Sequence, residues 1–104
     1  MNIKNLPTSR EEVAQIVISV IANTYGVGVD EVIEETNFRG DLGMDSLDVI
    51  EVVLNIEKEF NIDIEDADID KINTVEQMIN HLHNSFETMR KELQTVSNGQ
   101  QSKS

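Results

Sequence analysis

From Leu47 onward, Leu47, Val49, Ile50, Val53, Leu54, Ile56 and Phe60 recur at helical spacing, the strongest periodic pattern in the chain. The pattern begins just after Asp41, Leu42, Gly43, Met44, Asp45, Ser46, where a glycine and two aspartates interrupt regular structure. Ser46 is therefore expected at or next to a helix N-terminus. One reading is that Asp45 or Ser46 only caps the helix, accepting a bond from an otherwise unpaired backbone N–H. The other is that the open N–H groups and positive dipole end there favour an anionic group attached to Ser46, by about 0.3–1 kcal/mol.

Two further helices carry the same kind of signal. Thr8 and Ser9 stand three residues before Glu11 and Glu12, a double capping-box pattern, and Val13, Ile16, Val17, Val20 and Ile21 then form one apolar stripe ending near Asn23 to Gly26. Asn73 and Thr74 stand three residues before Glu76 and Gln77, and Val75, Met78, Ile79, Leu82 and Phe86 continue as a stripe that Met89, Leu93 and Val96 extend weakly. Residues 61–70 alternate acids with Ile62, Ile64, Ala67 and Ile69. A lone strand there has nothing to pair with, so an extended stretch and a short helix near Glu65 to Asp70 are expected. The fold class is all-α: a small four-helix bundle, three longer helices plus one short helix, with a long first loop.

That loop, from Gly26 to Asp45, is longer than ordinary helix connections and is expected to be ordered and functional. Val27, Val29, Val32, Ile33, Phe38 and Leu42 are its apolar anchors, and Asp30 is placed to cap a short turn through Val32 and Ile33. On the Leu47 helix, 100° per residue leaves Asp48, Glu51, Asn55, Lys58 and Glu59 in a polar arc beside an apolar arc too wide for one core seam. Ile50, Val53, Ile56 and Phe60 are expected to pack inward. Leu47 and Leu54 are then available to a partner, unless the long loop covers them. Glu57 falls inside the apolar arc, and periodicity offers no reason for it.

Composition narrows the function. With 104 residues the chain holds one modest core, and with no cysteine it forms neither a disulfide, a thiolate nucleophile nor a cysteine zinc site. The formal charge of −12 is concentrated: residues 41–70 hold eleven acids and one base, Lys58. Such a surface disfavours nucleic acid and either solubilises the chain or steers basic partners to it. The alternating acids do not make a calcium loop, because counting from Asn61 puts Asp66 at the glycine position and Ile72 at the final glutamate position. His81 and His83 are two apart and share no helix face, so no metal pair is expected, and both are assigned to the surface. Gly-x-Ser-x-Gly is absent and no other histidine exists to activate Ser46, so no catalytic residues are assigned and the chain is not expected to be an enzyme. No stretch is long enough to span a membrane and no secretory signal stands at Met1 to Pro7, which makes cytoplasmic the default.

The residues Asp41 to Leu47, followed by Asp48, Val49, Ile50 and Glu51, resemble the prosthetic-group site of the acyl carrier proteins. The resemblance runs from about Glu11 to Asn84, through Thr36 to Phe38, the Phe60 helix end and Ile72 to Val75. The carrier domain is accordingly expected at residues 8–86, after an N-terminal extension at 1–7; residues 87–104 depart from the family, as a helical extension past the point where members commonly stop and, from Ser97, a polar tail expected to be disordered. The resemblance implies a 4'-phosphopantetheine arm, drawn from coenzyme A by a phosphopantetheinyl transferase and attached to Ser46 with Asp45 beside it. Leu47, Asp48, Glu51 and Glu57 match the partner-facing positions of the family, and Leu54 joins them from the helix geometry. Acyl groups are then held as thioesters on the arm and delivered, by a monomer, to acyl-processing enzymes with basic docking patches. In many relatives the core opens to shelter the acyl chain, and the Val- and Ile-rich stripes are compatible with that. Fatty acid, polyketide and lipid A assembly all remain open. So do two alternatives: a helical interaction module without the arm, and an aminoacyl or peptidyl carrier, against which Asp45 and the acidic helix lean. Lys58 departs from the family, whose members often carry another acid there.

Overall fold

The computed structural model describes residues 9–97, with side chains through residue 92. Four α-helices follow in order: α1 (Arg10–Tyr25), α2 (Ser46–Phe60), α3 (Asp66–Ile69) and α4 (Val75–Ser97), with one 3₁₀ turn, Val29–Glu31, in the first loop. No strand occurs among the described residues. α1 begins where the capping signal stands: Ser9 Oγ accepts the Glu12 amide at 3.2 Å. Thr8, the other half of that double signal, lies outside the described residues. α1 ends at Gly26, whose φ of 81° lets its amide turn back onto the Ala22 carbonyl at 2.9 Å.

The core lies between α1, α2 and α4. Val13, Val17 and Ile21 from α1 meet Val49, Val52, Val53, Ile56 and Phe60 from α2 and Val75, Met78, Ile79, Leu82 and Phe86 from α4. Each such side chain, once buried, contributes on the order of 1.5–3 kcal/mol. Ile16 and Val20, on the flanks of the α1 stripe, are half-buried against the same cluster. The Phe60 and Phe86 rings, with centroids 5.1 Å apart and tilted by 53°, join the end of α2 to α4. Asn55, assigned to the polar arc of α2, is half-buried instead, because its amide donates to Thr24 Oγ1 of α1 at 2.8 Å.

Three expectations need correction. Ile50 does not pack inward; it is 45% exposed. Val52 fills the seam with Val49, Val53, Ile56 and Phe60, because α1 and α4 contact the side of the wide apolar arc centred near Val49 and Ile56, roughly 50° from Val52 and roughly 110° from Ile50. Within the long loop, Val32 and Phe38 are buried and Val27 and Leu42 half-buried, but Val29 and Ile33 face outward; Met44 is the anchor that was not anticipated. Asp30 caps nothing. It lies inside the 3₁₀ turn, so the turn starts before it and Val32 closes it through a bond to the Val29 carbonyl.

The loop is ordered by its contacts with α4. Phe38 N–H donates to the Asn73 carbonyl, and the Thr36 and Glu34 carbonyls accept from the amides of Val75 and Glu76 (3.0 and 2.9 Å). Buried Thr36 is satisfied within the loop, its hydroxyl accepting from Ile33 N–H at 3.0 Å. Outside this junction, Arg10 of α1 grips Glu34 with two bonds of 2.9 and 2.8 Å and reaches Asn80 of α4 with its Nε. The short α3 is held by the buried Ile64 and Ile72 on either side of it. α4 continues past residue 86, as the weak extension of its stripe suggested. The side chains of Leu93 and Val96 and the polar tail beyond Ser97 lie outside the described residues.

Candidate functional site

The segment 37–45 sets the direction of the site. Asn37 Oδ1 accepts from the amides of Arg39 and Gly40 (3.0 and 2.8 Å), and Asp41 Oδ2 accepts from the Asn37 amide at 2.8 Å. These bonds close a tight turn. Phe38 and Met44, both buried, anchor its two ends, and Met44 N–H donates to the Phe38 carbonyl. Between them Gly43 takes a φ of 70°, a backbone region a side chain would strain, and this reversal sends Met44 inward and Ser46 outward.

Asp45, not Ser46, is the N-cap of α2. Its Oδ1 accepts from Asp48 N–H at 2.9 Å, and Asp48 Oδ2 accepts from Asp45 N–H at 3.2 Å, a reciprocal capping box. Ser46 is thereby the first helical residue, exposed and free of capping duty. Its Oγ accepts one hydrogen bond, from Arg39 Nη1 at 3.3 Å. No sequence signal singled out Arg39, because it stands seven residues away in a loop.

The remaining sequence-assigned residues fall into two groups. Leu47 and Leu54 are 76% and 52% exposed, uncovered by the loop, and Ile50 lies between them. At 100° per residue these three occupy about 60° of the α2 surface, an apolar stripe whose centre is turned roughly 130° from that of the core seam. Glu51 is exposed beside it. Asp48 is half-buried and already engaged in the capping box. Glu57, unexplained by periodicity, is half-buried because Oε2 accepts from Ile64 N–H at 2.7 Å, satisfying an amide where the chain leaves α2. His81 and His83 are both half-buried and not fully on the surface; His81 Nε2 lies 3.8 Å from Asp68 Oδ2, outside hydrogen-bond reach.

Beside Ser46, a half-open groove of about 330 Å³ runs between α2 and α3. Arg39, Ser46, Val49, Ile50, Asp66, Ile69 and Asp70 line it. The arrangement offers an exposed hydroxyl at a helix start, one guanidinium touching it and an apolar wall leading away from it.

Residues 15–82 match the family described as the phosphopantetheine attachment site. The chain belongs to that family. It is similar to the acyl carrier protein of Thermotoga maritima, with 40% identity over 74 residues that cover 71% of this chain and 91% of the relative. It is similar also to the acyl carrier proteins of Chlorobium phaeobacteroides and Chlorobium phaeovibrioides, at 38% and 39% identity over 71 residues, 68% of this chain and 91% of each relative. The all-α bundle and a covalent 4'-phosphopantetheine group accord with this membership, and the protein works as an acyl carrier. The residues around Ser46 suit that group: a serine oxygen open to solvent for the ester, a cation at its side, and a groove whose apolar wall fits a flexible chain. No helix among the described residues is long and apolar enough to cross a membrane.

Proposed function

We propose that Ser46 is the residue that carries the 4'-phosphopantetheine arm. The observation that carries this reading is the exposed Ser46 hydroxyl at the first residue of α2, relieved of capping by Asp45. In the loading step Ser46 Oγ forms a bond to the β-phosphorus of coenzyme A. The pyrophosphate P–O bond breaks, adenosine 3',5'-bisphosphate leaves, and the serine proton passes to a base of the transferase. The carrier itself catalyses nothing; its bound arm supplies a terminal thiol that holds acyl groups as thioesters. Asp45 holds Ser46 in place through the helix start, and the Val49, Ile50 and Ile69 side of the groove receives the apolar part of the arm. Intact-mass analysis after incubation with coenzyme A and a phosphopantetheinyl transferase tests the assignment. One addition is expected on the wild type and none on Ser46→Ala; an addition on the variant would refute it.

The docking face is Leu47 and Leu54 with Ile50 between them, rimmed by Asp48 and Glu51 and bounded by Glu57. An apolar centre with an acidic rim fits transferases and acyl-processing enzymes that present basic patches. Because a carrier must leave each enzyme in turn, its interfaces belong at the small end, below about 1,200 Å². Glu51→Lys is expected to slow loading at low salt, and the deficit to shrink as salt screens the wild type. The Leu47→Ala deficit is expected to persist, since apolar burial does not depend on screening. Equal low-salt rates for wild type and Glu51→Lys would remove the acid from the docking step. A monomeric, cytoplasmic carrier with its domain proper at residues 8–86 completes this reading. The charge of −12 and the acidic face favour acyl over aminoacyl cargo.

A further inference from the structure

Arg39 is the single Lys or Arg between Arg10 and Lys58 in the sequence, and the structure brings its guanidinium to the one oxygen that the arm would esterify. Its backbone is not free to wander. The Arg39 amide donates to Asn37 Oδ1, its carbonyl accepts from Gly43 N–H at 3.1 Å, and Phe38 next to it is buried. The guanidinium therefore reaches Ser46 from a pinned base, and Nη1 ends 3.3 Å from Oγ.

The charge around that oxygen makes the contact matter. A phosphodiester on Ser46 adds a negative charge where Asp45 and Asp48 already cap the helix and Asp66 and Asp70 line the opposite wall of the groove. Like charges this close disfavour one another, and the surrounding water screens them incompletely within about 8 Å. Among the described residues that line the groove, Arg39 is the one cation. A guanidinium presents several N–H donors in a plane and binds phosphate oxygens in pairs, which a hydroxyl partner uses only in part. The bond to Ser46 Oγ uses one N–H of Arg39 and leaves other donors of the guanidinium for phosphate oxygens.

We propose that Arg39 is a positioning residue for the arm: it pairs with the phosphodiester on Ser46, offsets the surrounding aspartates, and holds the first part of the arm at the mouth of the α2 and α3 groove. This inference rests on the assignment of Ser46 as the attachment residue. The ligand chemistry it adds is a phosphodiester monoanion recognised by one guanidinium. The aspartates of the groove keep an unpaired anion from settling there, so the position of the arm depends on that single cation.

The test uses the full chain as wild type, Arg39→Gln and Arg39→Lys, each loaded with coenzyme A and a transferase and confirmed by intact mass. Arg39 is exposed, so the unloaded variants are expected to keep their helical circular dichroism. The ³¹P resonance of the attached phosphodiester is expected to move between wild type and Arg39→Gln. The change in Tm caused by loading is expected to be less favourable in Arg39→Gln by about 2–5 °C, the scale of a solvent-exposed charge-assisted pair in a domain of this size. Arg39→Lys, which keeps the charge but not the planar fork, should recover part of the Tm difference. Identical ³¹P resonances together with identical loading-induced Tm changes in wild type and Arg39→Gln would overturn the role of Arg39 and leave Ser46 standing. No mass gain on the wild type would overturn the Ser46 assignment, and the role of Arg39 with it.

Discussion

α2 and α4 both begin with a capping box, Asp45 with Asp48 and Thr74 with Gln77, in which a side chain at the cap accepts an amide three residues on and is answered in return. Their surroundings differ. The mouth of α4 is sealed by the first loop, whose Thr36 and Glu34 carbonyls take the amides of Val75 and Glu76, with Phe38 and Asn73 closing the seam. Among the described residues, the mouth of α2 receives no carbonyl from elsewhere in the fold; only Arg39 crosses to it, and it crosses to a side-chain oxygen. A helix start covered by another segment is a structural joint. One left open, with an exposed hydroxyl on its first residue, is a place for chemistry. The same loop makes both, because its middle docks on α4 while its end turns at Gly43 to present Ser46.

The comparison is broken most severely by removing the anchor that both mouths share. Phe38→Ala is expected to cost about 3–5 kcal/mol in denaturant unfolding, since the ring is almost fully buried and its loss leaves a cavity. It should also slow loading of Ser46. A loss under about 1 kcal/mol, with unchanged loading, would mean the loop holds its course without that ring. Removing one cap at a time should cost less. Thr74→Ala and Asp45→Ala are each expected to lose about 1 kcal/mol. Loading should fall only for Asp45→Ala. Equal loading deficits would erase the distinction between a sealed and an open mouth.

A smaller effect belongs to acid titration. Arg10 donates two hydrogen bonds to Glu34 and holds its carboxyl below the usual carboxylate range, with burial opposing and the charge of Arg10 assisting. A folded-state pKa below the unfolded one contributes stability above the unfolded value, which is lost as pH falls through the folded value. Both side chains are about a third exposed, so the pair is worth at most about 1 kcal/mol after screening. Unfolding of Glu34→Gln at neutral pH and again in acid should show a deficit that closes as the pH falls. A constant deficit would place the contribution in the shape of Glu34 and not its charge. The smallest change is expected at the open mouth itself. Leu47→Ala should alter stability by no more than about 0.5 kcal/mol, because the side chain is 76% exposed. A loss of 2 kcal/mol would show that Leu47 is packed in solution and is not a free docking residue.

Local rules were enough for the parts of this protein that depend on near neighbours in sequence. Ser9 capping α1, Gly26 ending it, the cap before α2, the Thr74 and Gln77 box and the short α3 were all legible, because each is set within a few residues. The exposed Ser46, Leu47 and Leu54 were legible for the same reason, aided by the family resemblance around Asp41 to Glu51. Which part of the wide α2 arc turns inward was not. That choice belongs to where α1 and α4 lie, and it exchanged Ile50 for Val52. Glu57 had no local reason, since its partner is the Ile64 amide seven residues on, past the turn at Asn61.

The helices and the exposed serine at the start of α2 are thus short-range information, carried by apolar spacing and capping chemistry. The tertiary structure decided what no window of the chain contains: that loop carbonyls seal α4, that Gly43 and Met44 turn Ser46 outward, and that Arg39 reaches its hydroxyl. Those are contacts between segments whose separation is fixed only when the core closes around Phe38 and Met44. A hydrogen bond has a reach of about 3 Å, so a displacement of the loop by that distance would undo them while leaving every helix signal intact.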